Sequence, residues 1–261
     1  MDVMNDLPLF PRAHSLEIIQ GRWQLDQQTL LLSKFPALRN LCLSNTLPRF
    51  DEDDMDANVP LAGLCPLLTH YTGSHRLFPY LPASSTLRRA TIAECHLEEF
   101  LSELRRIPTP ISLTSLYTTF TGQIDLATLC KFFPNLTELC VEVHVRNIIL
   151  GGFDPDEVYH PRVNSFFENL IDASPLPTNI ARLAIIWVSE GEDPKELPDL
   201  VKLKDTLLER YPALTALWLD GWHYMIAWRK ANDRTQYGIV LHKTRDEVEK
   251  GREGLGFWGS T

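Results

Sequence analysis

A repeated junction between two kinds of apolar pattern constrains the fold more than any other feature of this chain. Three segments carry an aromatic residue, a proline and then L-x-x-L-x-L or L-x-x-L-x-V: KFPALRNLCLSN, FFPNLTELCVEV and RYPALTALWLDG. Before each lies a stretch with apolar residues at three- and four-residue steps, which predicts a half-buried helix. Proline disfavours helical geometry in the preceding residue, so each helix should end at the aromatic. The period of two that follows predicts a strand.

Weaker copies of the junction fill the intervals between the three strong ones. The aligned strand positions are Leu41, Tyr71, Ala90, Leu116, Leu139, Leu183 and Leu217. Several spacings lie in or near the range of about 20–29 residues that is typical of leucine-rich repeats. A single helix–turn–strand unit cannot bury its apolar face, so the units must stack. The alternative is a two-layer α/β domain, in which βαβ units give a similar alternation.

We therefore predict an α/β fold of the irregular leucine-rich-repeat solenoid type. Its parallel sheet should lie on the concave side and its helices on the convex side, with a C-terminal β-hairpin as a cap over the sheet edge. We predict an N-terminal extension at 1–15 and the repeats at 16–221, with insertions at 47–60 and 147–162. The capping hairpin should follow at 222–243, and a helix with a flexible tail at 244–261.

Charge and composition exclude several partner classes. The net charge is −9 and the basic residues form no run, which argues against nucleic acid or an anionic membrane as a partner. No apolar stretch approaches the roughly 18 residues of a membrane span. The acidic, proline-containing N-terminus does not resemble a signal peptide. The five cysteines form no C-x-x-C pair, which indicates buried, reduced thiols and a cytoplasmic or nuclear location.

The sequence carries no convincing catalytic motif. The glycine pattern at 254–259 has no room for a following helix, so it does not predict a nucleotide site. The acidic run at 51–56 lacks the glycine and terminal glutamate of a calcium loop. The histidines and cysteines lack zinc spacing. We predict no enzyme, no cofactor and no metal. An enzyme with a site near the 147–162 loop stays as an alternative, because catalytic groups can assemble from distant residues.

Binding should occur on the outward-facing positions of the predicted strands, which form a row across the concave sheet. The candidate partner-binding residues are His70, Arg89, Tyr117, Glu138, Glu142, Arg182, Trp218 and Asp220. Trp218 is the leading candidate, because exposed tryptophan is enriched in interface hot spots. The alternative is that Trp218 packs beneath the hairpin, against Trp222 or Trp228. The glutamates beside Arg89 and Arg182 would form a mixed-charge surface suited to a protein partner.

Two segments, CPLLTHYTG…LFPYLPASSTLRRATI and LLERYPALTALWLDGW, resemble the leucine-rich-repeat regions of the F-box-type proteins of mushroom-forming fungi. The resemblance covers roughly residues 16–230. It implies a substrate receptor of a cullin-type ubiquitin ligase, in which an F-box binds the ligase adaptor and the repeats bind the substrate. The F-box itself is not recognisable, since Leu7-Pro8 is followed by SLEIIQGRW (15–23), which reads as a strand.

The predicted function is therefore protein–protein interaction, with an unidentified protein partner and, from the resemblance, a ubiquitin-ligase adaptor. The alternative within this class is a free-standing leucine-rich-repeat regulator without a ligase role. Such a regulator could use the acidic 51–56 loop to contact a basic partner, and its binding would then depend strongly on salt.

Overall fold

The computed structural model describes residues 7–19, 30–44, 65–81, 86–107, 111–121, 124–145, 166, 170, 176–189, 199–220, 224–230 and 235–241. The predicted insertions at 47–60 and 147–162 and the predicted tail at 244–261 lie outside them. The described chain is α/β with mostly parallel strands, which confirms the predicted class. In this described part, no helix has both the length and the apolar character needed to cross a membrane.

Strands and helices alternate irregularly along the chain. The strands are β1 (Ser15–Ile18), β2 (Asn40–Leu43), β3 (His70–Gly73), β4 (Arg89–His96), β5 (Ser115–Thr121), β6 (Glu138–Val145), β7 (Arg182–Ser189), β8 (Ala216–Asp220), β9 (Tyr224–Lys230) and β10 (Thr235–Leu241). The helices are α1 (Leu97–Arg105), α2 (Leu126–Lys131) and α3 (Leu200–Arg210), and a 3-10 helix covers His75–Tyr80. The strand predicted within 15–23 is confirmed as β1.

The chain divides into two compact units, and the division falls within β5. The first unit is Met1–Leu116 with Phe132–Pro134, and the second is Tyr117–Lys131 with Asn135–Thr261. In the first unit, β1 to β4 pair in chain order and all run parallel. In the second unit, β6, β7 and β8 are parallel, and β9 and β10 follow as antiparallel neighbours.

The predicted junction folds through the same backbone hydrogen bonds at successive strands. The turn after the aromatic residue closes when Leu38 N–H donates to the Phe35 carbonyl at 3.1 Å, and Leu214 N–H to the Tyr211 carbonyl at 2.9 Å. One carbonyl then accepts from two successive N–H groups of the next strand. Such double acceptors are His14, Arg39, Thr69 and Arg88 in the first unit, and Thr137 and Ala181 in the second. Each strand therefore begins in the same register as its neighbour.

The apolar positions of the junction form the core. The first position of each copy is at most 2% exposed, at Leu38, Leu68, Leu87, Leu113, Leu136, Ile180 and Leu214. The second positions are also at most 2% exposed and pair as aligned in the sequence: Leu41 with Tyr71 and Ala90, and Leu139 with Leu183 and Leu217. Burying one such leucine side chain stabilises the fold by about 1.5–3 kcal/mol.

The third apolar position of the junction is Leu43 in β2 and Ile92 in β4, but in β3 it is Gly73. The Tyr71 side chain fills the space, since a Cβ built on Gly73 would lie 2.6 Å from the Tyr71 hydroxyl oxygen. That hydroxyl donates to the Ser74 carbonyl at 2.8 Å, and Tyr71 is 1% exposed. Glycine is needed here because the backbone and the tyrosine approach too closely for any side chain.

Aspartates cap two of the helices, and aromatic packing holds a third. Asp125 accepts from Thr128 N–H at 3.0 Å before α2. Asp199 accepts from Lys202 N–H at 3.0 Å before α3. In the first unit, Phe100 of α1 packs edge-to-face on Phe78, with ring centroids 5.7 Å apart.

Candidate functional site

A polar row crosses β2, β3 and β4 on one face of the first unit. Asn40, His70 and Arg89 pair in register, and Asn40 and His70 are exposed while Arg89 is half-buried. A second row, also in register, contains Cys42, Thr72 and Thr91, all half-buried. The intervening residues of these strands are buried. The predicted alternation between core and outward positions is thus confirmed for β2, β3 and residues 89–92 of β4. We call the two rows the β2–β4 face.

Three arginines, Arg39, Arg88 and Arg89, lie at the N-terminal end of this face. Arg39 and Arg88 immediately precede β2 and β4 and are exposed. Arg88 donates from Nη1 to the Ser112 carbonyl at 3.4 Å. Within the part of the chain that the structure describes, no carboxylate forms an ion pair with Arg39, Arg88 or Arg89. Desolvation of the ring, and then the neighbouring Arg89 charge, lower the pKa of His70.

In the second unit, by contrast, the polar residues of the predicted row bind one another. Glu142 of β6 accepts the hydroxyl hydrogen of Tyr117 at 2.8 Å, and its other carboxylate oxygen lies 2.7 Å from His144 Nε2. Burial, and then the charges of Glu142 and Cys140, raise the pKa of Tyr117. Glu142 therefore serves as the common acceptor of a small network. His144 is not among the residues predicted from the sequence, although its two-residue spacing from Glu142 places both on one face of a strand.

Two residues of the predicted mixed-charge surface, Glu138 and Arg182, form an ion pair with each other. Glu138 and Arg182 pair in register on β6 and β7, and Arg182 Nη2 donates to Glu138 Oε1. Both side chains are largely covered, at 21% and 28% exposure. The second carboxylate oxygen of Glu138 is buried without a hydrogen-bond partner. A pair so engaged contributes to the packing of the second unit and leaves little charge for a partner.

Trp218 and Asp220 are not exposed, and their prediction as surface residues is wrong. They are 1% and 5% exposed, and every residue of β8 is buried. Trp218 packs in an apolar cluster on the face that was predicted to be open: Cys140, Ala184, Ile186, Ala216, Trp218 and Met225, bordered by Tyr117, Val188 and Ala227. The alternative prediction, in which Trp218 packs near the hairpin, is closer to the structure. The neighbours of Trp218 in β9 are Met225 and Ala227, however, and not the predicted Trp222 or Trp228.

A signal for this second cluster is present in the sequence. The segments AIIWV (184–188), ALWL (216–219) and MIAW (225–228) are continuous apolar runs without alternation. Such runs are typical of strands that are buried on both faces. The period-two interpretation that holds for β2 to β4 therefore fails for β7 and β8.

The remaining reactive side chains of the described residues do not assemble into a site. All five cysteines are free, and only Cys42 is partly exposed. Burial raises the pKa of Cys65 to about 11 and is the main cause that raises the pKa values of Cys95 and Cys130 to about 12. No group of three or more potential ligands among the described residues could hold a metal ion. The 147–162 loop, where an enzyme site was the alternative, lies outside them.

Comparison with known proteins adds no assignment. No protein-family model matches the sequence, and no curated protein matches it.

Proposed function

We propose that this chain is a protein-binding module built from irregular leucine-rich repeats. The support is the repeated junction, in which the same turn, the same double acceptor and the same buried apolar positions recur. Several of the spacings lie in or near the range that is typical of such repeats. Stacked repeats of this kind present rigid rows of outward side chains, and these rows are what such proteins use for recognition.

The binding surface that we propose is the β2–β4 face. The observation that carries the proposal is its two polar rows, which are in register and accessible while the alternate residues form the core. Of the eight predicted partner-binding residues, His70 and Arg89 lie on this face. The others belong to the second unit, where Trp218 is buried and the Glu138–Arg182 pair is closed on itself.

The experiment is affinity purification of the tagged protein from its native cells, with quantification of the proteins that co-purify. Thr72 lies at the centre of the face, between Cys42 and Thr91. Thr72→Trp therefore adds bulk where a partner would bind. Ser102→Trp adds the same side chain at an exposed position of α1 and is the matched control.

A partner of the β2–β4 face should be lost from the Thr72→Trp sample and retained by Ser102→Trp. If both variants retain every protein that the wild type captures, the face is not the binding surface. Thermal unfolding of both variants must resemble that of the wild type for the comparison to hold.

The resemblance to fungal F-box-type proteins extends the proposal to a role as a substrate receptor in ubiquitination. The same purification tests it, since a ligase adaptor and a cullin should co-purify with the wild type and with both variants. The adaptor would not bind through the β2–β4 face, whereas the substrate would. Absence of adaptor and cullin, together with a partner lost in Thr72→Trp, would favour the free-standing regulator.

A further inference from the structure

Three arginines of the first unit lie close together at one end of the sheet. Arg39, Arg88 and Arg89 lie at the N-terminal end of β2 and β4, with His70 between them on β3. Neighbouring strands are about 4.8 Å apart, so the backbone positions of Arg39 and Arg88 are separated by about 10 Å. Three arginines thus share a small area in a protein whose net charge is −9.

The backbone geometry holds this group in place. The Arg39 carbonyl accepts from Thr69 N–H at 2.8 Å and from His70 N–H at 2.9 Å. The Thr69 carbonyl in turn accepts from Arg88 N–H at 2.9 Å and from Arg89 N–H at 3.1 Å. The positions from which the four cationic or polar side chains project are therefore fixed before any partner binds, which reduces the entropic cost of association.

The carboxylates on the described strands of the first unit form no ion pair with the three arginines. On these strands, Glu17 of β1 pairs with Cys42, one row beyond Asn40, and Glu94 follows Arg89 by five residues along β4. At about 3.3 Å per residue, Glu94 is about 17 Å from Arg89 along the strand. The second unit differs, because its Arg182 on the corresponding row already has Glu138 as a partner.

We propose that the β2–β4 face, together with Arg39 and Arg88 at its N-terminal edge, binds an acidic segment of a partner protein, whose Asp or Glu side chains pair with Arg39, Arg88 and Arg89. This inference rests on the proposed protein-binding function and specifies the chemistry of the partner. Guanidinium groups bind carboxylates through paired hydrogen bonds. Among the residues that the structure describes, no carboxylate pairs with these three arginines, so their guanidinium groups can bind the carboxylates of a partner.

A protein segment fits this face better than a nucleic acid. Single-stranded nucleic acids bind where aromatic side chains stack on the bases. The two rows of the β2–β4 face include no phenylalanine, tyrosine or tryptophan: they are Asn40, Cys42, His70, Thr72, Arg89 and Thr91. The strongly negative net charge also opposes a long phosphate backbone but tolerates a short acidic segment.

The test uses the purified full chain and a fluorescein-labelled peptide of alternating Glu and Asp, about ten residues long and thus spanning about 33 Å when extended. Fluorescence anisotropy measures its affinity. Arg88→Gln/Arg89→Gln should weaken binding by at least about tenfold, as expected from the loss of charge-assisted hydrogen bonds. The control is Arg105→Gln/Arg106→Gln, a second Arg–Arg pair of the first unit at the end of α1, which removes the same charge and should change the affinity by less than about twofold.

Several outcomes would overturn the inference. These are no binding of the peptide by the wild type, equal weakening by both double variants, or tighter binding of a single-stranded oligonucleotide of the same length. An increase in salt from about 50 to about 500 mM should also weaken peptide binding, because it screens exposed charges.

Failure of this inference is distinguishable from failure of the proposed function. If Thr72→Trp loses a cellular partner while Arg88→Gln/Arg89→Gln keeps it, the face binds protein by other contacts and only the acidic specificity is wrong. If neither variant loses a partner, the binding face itself is wrong.

Discussion

Replacing Gly73 with alanine tests whether the Tyr71 ring occupies the core position that the glycine leaves open. A Cβ at this position would lie 2.6 Å from the Tyr71 hydroxyl oxygen, 2.9 Å from its Cζ and 3.2 Å from Leu43 Cβ. The first two separations are shorter than non-bonded atoms tolerate, so the ring must move. Tyr71 is 1% exposed, which means that the ring has little free space to move into.

Two costs determine the expected loss of stability. Displacement of the ring breaks the hydrogen bond from Tyr71 to the Ser74 carbonyl, which is worth about 1 kcal/mol. An additional methyl group in a filled core costs about 1–3 kcal/mol through strain. Gly73→Ala should therefore lower the free energy of unfolding by about 2–4 kcal/mol.

Urea unfolding followed by far-ultraviolet circular dichroism measures this loss, and a double-mutant cycle with Tyr71→Phe identifies its cause. Tyr71→Phe removes the oxygen that is nearest to the new Cβ. Gly73→Ala should consequently cost about 1 kcal/mol less in the Tyr71→Phe background than in the wild type. As a control, Thr72→Ala changes the opposite face of the same strand and should alter the free energy of unfolding by less than about 1 kcal/mol.

A Gly73→Ala protein as stable as the wild type would refute this reasoning. Equal costs of Gly73→Ala in the two backgrounds would show that the tyrosine hydroxyl does not limit the space.

Three further predictions follow from burial. Trp218→Ala should lower the free energy of unfolding by about 3–5 kcal/mol in urea unfolding, because Trp218 is 1% exposed, and a loss below about 1 kcal/mol would contradict its burial. A thiol reagent should label Cys42 in the native protein and the four buried cysteines only after denaturation, and rapid native labelling of all five would contradict the structure. Burial is the main cause that lowers the pKa of His75 below 6.5, so the unfolded state binds more protons on acidification. The stability that neutral His75 contributes is therefore complete above pH 6.5 and is lost as the pH falls towards the pKa of His75 in the folded state. The melting temperature of His75→Gln should decline less steeply below pH 6.5 than that of the wild type. An equal decline in both proteins would contradict this assignment.

The arrangement of the strands could be predicted from the sequence because one local pattern determines it. At the three strong junctions the helix has ended before the aromatic residue and the proline. The leucines that follow can reach the core only if the strand begins at a fixed distance from the turn. For this reason, the alignment of Leu41 with Tyr71 and Ala90, made from the sequence, agrees with the register of β2, β3 and β4.

The exposure of the opposite face could not be derived from the same pattern. L-x-x-L-x-L determines which residues face the core, but it does not determine whether the intervening residues meet solvent or a second apolar cluster. Trp218 satisfies the pattern for an outward residue and is nevertheless buried, together with Ala184 and Met225. Likewise, nothing local shows that Tyr71 fills the space above Gly73, since that depends on the direction of one side chain.

The residues that hold β2, β3 and β4 together are not the residues that would bind a partner on the proposed face. The strands are held by main-chain hydrogen bonds and by core residues such as Leu38 and Leu68, both fully buried. Among the described residues, the side chains of Arg39, Arg88 and Arg89 belong to neither set of contacts, and Arg88 bonds to the Ser112 carbonyl. Their replacement should therefore leave the fold intact, whereas a partner that covers these guanidinium groups must supply acceptors, such as carboxylates, to compensate for their desolvation.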